Sequence, residues 1–88
     1  MLEVRAGVDA VDREIVALLA RRFGYMDAAA RIKAERGHVR DEARKAQVIA
    51  NARAEAVSAG IPAPVIAALW ELLVEASISY EFEAFDRR

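Results

Sequence analysis

The sequence predicts an all-α protein of three helices, one long and two shorter, interlocked with a second copy as a homodimeric helical bundle. Three observations carry that expectation. Residues 4 to 33 run without proline in a heptad rhythm, and two breaks, Arg36-Gly37-His38 and Gly60-Ile61-Pro62-Ala63-Pro64, set off two further helical stretches. No segment alternates with the period of a strand. Finally, the chain has only 88 residues. It therefore forms one domain, 1–88, that buries only about 60–65% of its unfolded surface. With no cysteine and a single histidine it has neither a disulfide nor a metal cluster to add stability. A second copy is the remaining way to enlarge the core.

Helix one is expected from Leu2 or Glu3 to about Glu35. Val4, Val8, Val11, Ile15, Leu18, Arg22, Met26, Ala29 and Lys33 follow in steps of four and three, which keeps one face turned to a partner. Gly7 and Gly24 each cost up to about 1 kcal/mol there, against the support of Ala28, Ala29 and Ala30. Such a helix runs about 45 Å, too long for two short helices of one chain to cover. The simplest arrangement pairs the long helices of two copies antiparallel, with the shorter ones folded over both.

Gly37 reads as the C′ residue of helix one. Asp41 reads as the N-cap of helix two, which runs to about Ser58 with Val48, Ile49, Ala52 and Ala56 on one side. Gly60 stops that helix, and Pro64 suits the first position of helix three, which continues to about Asp86. Its main apolar stripe is Val65, Leu69, Leu72, Leu73, Ala76 and Tyr80, with Trp70, Ser77 and Glu81 on the shoulder.

The net charge of −1, with Lys and Arg spread along the chain, argues against a nucleic-acid partner. Apolar runs fall short of a membrane span and no signal-peptide pattern opens the chain, so a cytoplasmic protein is expected. The absence of cysteine suits a reducing compartment.

The seam of helix one contains a conflict. Arg22 and Lys33 lie within the arc of Val4, Val8, Val11, Ile15 and Leu18, and Arg5 lies beside it next to Asp12. A single cation there is explained by snorkelling. Two on one seam, with Arg5 alongside and Arg44 in helix two, point to an anion site. An unpaired buried charge costs several kcal/mol. Four cations suit a ligand with more than one carboxylate, or a phosphate.

Other polar residues have plainer readings. Asp12 reads as an internal partner of Arg5, and His38 as a solvated loop residue. Ser77 and Glu81, four apart, share one face of helix three. Trp70, Phe82 and Phe85 read as core or interface. The sequence shows no nucleophile beside a base, no glycine-rich phosphate loop and no metal cluster. An enzyme built from these residues must work by orientation and electrostatics alone, without a cofactor.

In order along the chain stand Arg5-x2-Val8-x3-Asp12-x2-Ile15-x2-Leu18-Leu19-x2-Arg22, then Lys33, then Val39-Arg40-Asp41-x2-Arg44, then Ser77-x3-Glu81. This set, spanning nearly the whole chain, resembles the all-helical chorismate mutase family, which includes isochorismate pyruvate lyases. The resemblance implies an intertwined homodimer whose long helix spans both active sites. The substrate would be a small dicarboxylate, chorismate or isochorismate, and the product prephenate would serve aromatic amino acid biosynthesis by the shikimate route. It also implies that Arg5 reaches into the partner's site. Arg22 and Arg44 would hold the two carboxylates together with Arg5. Lys33 would bind the ether oxygen and a carboxylate, Asp41 would lie near the ring hydroxyl, and Ser77 would support a carboxylate. Lys33, Glu81 and Arg5 would carry the catalysis.

Two positions depart from the mutase pattern. Lys45 stands where many mutases have Glu to hold the ring hydroxyl, and Glu81 where many have Gln beside the ether oxygen. Tyr25-Met26-Asp27-Ala28-Ala29-x2-Ile32-Lys33 is similar to the lyase branch, while Val39-Arg40-Asp41 is mutase-like. The favoured expectation is a mutase, an isomerase with lyase activity in view. The alternatives are the lyase proper and a helical dimer that only mediates interactions.

Overall fold

Alanine-rich, heptad-patterned residues form the longest element, α1 (Leu2–Ile32). A computed structural model describes residues 1–88 and continues with a 3₁₀ turn at Arg36–His38, α2 (Glu42–Ala59) and α3 (Ala63–Arg87), with no strand. The glycines of α1 leave its hydrogen-bond ladder unbroken. α1 stops three residues before the expected Glu35, because Lys33 turns away with extended backbone (φ −61°, ψ 132°). Gly37 consequently does not end the helix and adopts no positive φ; it lies within the 3₁₀ turn. The stop at Gly60 is as expected. With φ 71° it takes the left-handed conformation, and the Ile61 amide reaches back to the Ala56 carbonyl at 3.0 Å.

Asp41 caps α2, its side chain accepting from the Arg44 amide at 3.0 Å. Pro64 is the second residue of α3 and not the first. Either position suits it, since the first amides of a helix have no intrahelical partner.

α3 packs against both α1 and α2, which do not pack on each other. The result is elongated, 50 × 24 × 15 Å. Only Ala30, Val39, Ala52, Ala56, Val74, Ser77 and Glu81 are buried, too small a set to hold a long helix along its full length. Two departures from the expected packing follow. On α3 the shoulder residues Ser77 and Glu81 are buried together with Val74, while of the expected stripe Val65, Leu69, Leu72 and Ala76 are exposed and Leu73 and Tyr80 half-buried. The inward face is the one whose polar groups meet Arg22 and Lys33. On α1 the seam divides in two. Val4, Val8, Val11, Ile15 and Leu18 are all about half exposed, whereas Arg22, Met26, Ala29 and Lys33 line a cavity.

By length and composition α3 is also apolar enough to cross a membrane, contrary to the reading of the sequence. Its carboxylates argue for a protein-facing role: Glu71 and Glu75 pair with Lys45, and Glu81 with Lys33.

Candidate active site

The cavity, about 370 Å³, lies where the second half of α1, the 3₁₀ turn, the start of α2 and the middle of α3 converge. Three heptad positions of α1, at 22, 26 and 29, with Lys33 just beyond its end, form one wall. The Asp41 cap starts α2 so that Arg44 and Lys45, one turn in, face the same space. Ser77 and Glu81 enter from α3 at helical spacing.

Arg22 Nη1 donates to Ser77 Oγ at 2.6 Å, and that hydroxyl donates to the Leu73 carbonyl at 2.7 Å. The serine proton is thus committed within its own helix, leaving a lone pair for the guanidinium. Lys33 Nζ donates to Glu81 Oε2 at 2.6 Å, with the Glu81 side chain only 6% exposed. The expected anion for Lys33 is therefore supplied from within the chain. Arg44 Nη1 donates to the neutral Gln47 Oε1 at 2.6 Å.

Neither Arg22 nor Arg44 is paired with a carboxylate. Burial, and then the like charge of Arg44, push the Arg22 guanidinium below its ordinary value. Two guanidiniums of like charge, neither with a carboxylate partner of its own, therefore face one cavity.

Six of the seven expected site residues come together here: Arg22, Lys33, Asp41, Arg44, Ser77 and Glu81. Arg5 does not. It stands exposed on α1, seventeen residues before Arg22, which is about 25 Å along the helix. Nor does Arg5 pair with Asp12 as expected; seven residues of helix separate them by about 10 Å. The Asp41 carboxylate lines the cavity while spending one oxygen on the helix cap.

Lys45 is 16% exposed and tied to α3 by Glu71 at 2.7 Å and Glu75 at 3.6 Å. The hydrogen bond to Glu71 is the main reason its ammonium is held above the ordinary lysine value. His38, read from the sequence as a solvated loop residue, is largely exposed in the 3₁₀ turn and also borders the cavity. One contact was missed in the sequence. Gln47 holds Arg44, a contact implied by their i,i+3 spacing.

A second, mostly apolar groove of about 520 Å³ adjoins the cavity and shares Arg22 and Arg44 with it. Val48, Ala52, Ile66 and Trp70 are among its walls. A family model for chorismate mutase type II matches residues 4–82. No individual curated protein matches the chain.

Proposed function

The chain belongs to the chorismate mutase type II family, and from that premise we propose that it rearranges chorismate to prephenate in the cavity between α1, α2 and α3. The observation that carries this reading is the Arg22–Arg44 pair, two cations facing one cavity without a carboxylate between them. A dicarboxylate relieves both their repulsion and the burial cost of Arg22, and two guanidiniums bind two carboxylates with paired hydrogen bonds.

The rearrangement breaks the ether C–O bond and forms a C–C bond within one molecule. No proton, electron or leaving group is exchanged with the protein. What it requires is the enolpyruvyl side chain held over the ring and a donor at the ether oxygen, where negative charge develops. Lys33 supplies that donor, Ser77 supports a carboxylate beside Arg22, and Asp41 lies at the ring hydroxyl. Glu81 orients the Lys33 ammonium. Arg5 completes the cage from a partner subunit, since its own helix carries it about 25 Å away from the cavity. The exposed seam from Val4 to Leu18 and the adjoining apolar groove support an intertwined homodimer in which α1 of one copy lies over the other. The working enzyme is cytoplasmic and uses no cofactor.

A second reading, isochorismate pyruvate lyase, draws on Lys45. Its ammonium is engaged by Glu71 and Glu75, so no acid stands at that position to hold a ring hydroxyl. Purified protein offered chorismate and isochorismate separately decides the matter. Prephenate from chorismate supports the mutase. Salicylate and pyruvate from isochorismate alone assign the lyase, and no turnover of either leaves a non-catalytic dimer.

A further inference from the structure

The last turn of α1 leaves backbone carbonyls without intrahelical partners. A side chain more than fifty residues away supplies them. Arg88 Nη1 donates to the carbonyls of Ala30 at 3.1 Å and Lys33 at 2.6 Å, with those of Arg31 and Ala34 at the edge of reach. Its guanidinium lies 3.7 Å from the centre of the Phe85 ring, which supports the planar fork from α3. A second fork crosses the same gap in the opposite direction. Arg36 Nε and Nη2 donate to Asp86 Oδ1 and Oδ2 at 2.9 and 3.2 Å, with the guanidinium over Phe82.

Between these two clamps lies Lys33. It is the first residue beyond α1, and its backbone amide still bonds to Ala29 at 2.9 Å. Its carbonyl has left the helical ladder, so the direction of the residue depends on whatever holds that oxygen. The 2.6 Å bond from Arg88 is charge-assisted. A cation at a helix C-terminus is also favoured by the helix dipole.

We propose that Arg88 is a positioning residue for Lys33, holding the C-terminal end of α1 so that the ammonium meets the reacting ether oxygen. The proposal rests on the reading of Lys33 given above. Lysine at position 88 retains the charge but lacks the planar face that stacks on Phe85 and the second nitrogen that reaches toward Ala34.

The test compares wild type, R88A, R88K, K33A and K33A/R88A by chorismate turnover and by backbone amide hydrogen exchange without ligand. R88A is expected to lower kcat about tenfold, as small misplacements of a reacting group do, with KM within about threefold. R88K recovers part of that loss. In the K33A background, R88A changes the residual rate by less than about twofold, because residues acting through one another are not additive. Amides of residues 30–33, the hydrogen-bonded last turn of α1, exchange faster in R88A, while those in the middle of α3 do not. Unchanged exchange at 30–33 overturns the clamp whatever the enzyme activity. Equal fold-losses in the two backgrounds overturn positioning and leave a general stability role. Full activity in K33A instead refutes the reading of the site on which the proposal stands. Should R88A not fold, R88K gives the same comparison with a smaller expected loss.

Discussion

Lys33 and Glu81, 48 residues apart in the chain, meet at 2.6 Å in the wall of the cavity, the lysine partly open to solvent and the glutamate nearly closed off. The ammonium is thereby held in place by a carboxylate anchored on α3. The pair changes what each substitution should do.

Replacing Lys33 by Ala removes the donor proposed for the ether oxygen and is expected to lower kcat by about 10²-fold or more. Because Lys33 is paired, the variant also strands the Glu81 carboxylate and loses about 1–2 kcal/mol of stability. Thermal melts of Lys33→Ala and the Lys33→Ala/Glu81→Gln double variant check this, the second recovering much of the loss.

Glu81→Gln keeps an oxygen that accepts from Lys33 and adds an amide that donates. An ionised carboxylate only accepts, so the variant gains a donor for the ether oxygen. Turnover at about pH 7–8 should be retained or raised a few-fold. A loss of about tenfold or more at that pH would show that the Glu81 charge itself is needed to orient Lys33.

The exposed seam of α1 predicts assembly. Sedimentation at micromolar concentration should give twice the 9.7 kDa chain mass, and unfolding midpoints should rise with protein concentration. Ile15→Asp, in the middle of the exposed seam, should abolish both behaviours. A folded wild-type monomer at micromolar concentration would dismiss the dimer.

The placement of Arg5 predicts complementation. Arg5→Ala and Lys33→Ala homodimers should each be nearly inactive. Mixed dimers should regain one complete site, with Lys33 from one subunit and Arg5 from the other. Confirmed heterodimers without recovered activity would assign Arg5 no role across the interface.

Acid should weaken the junction of α2 and α3. The Arg40 hydrogen bond holds the Glu75 carboxyl below the usual carboxylate range, with further help from Lys45. A depressed folded value means the unfolded chain binds the proton more readily. The stabilisation is therefore present above the ordinary carboxylate value and lost as pH falls through the depressed one. Urea midpoints should drop between about pH 5 and pH 3, and Glu75→Gln should show a smaller drop over that window.

The sequence by itself determined the three helices, their order and the family, because these depend on periodicity, caps and the linear spacing of cations. Asp41 and Gly60 act within one turn of their own positions, so their roles were legible. The family resemblance, carried by the ordered motif, is what named Arg22, Lys33, Asp41, Arg44, Ser77 and Glu81 as one group, and the fold brings these six to one cavity. What only the tertiary structure decided was how those faces meet. Hydrophobicity alone assigned the inward side of α3 to Val65, Leu69 and Leu72. In the fold Ser77 and Glu81 turn inward, where Arg22 on α1 and Lys33 just past its end offer them hydrogen-bond and ion-pair partners. The early end of α1 and the hold of Arg88 on Lys33 were likewise invisible in the sequence. Both depend on contacts between residues 30–36 and the last turn of α3, and no local pattern encodes which distant side chain will satisfy an orphaned carbonyl.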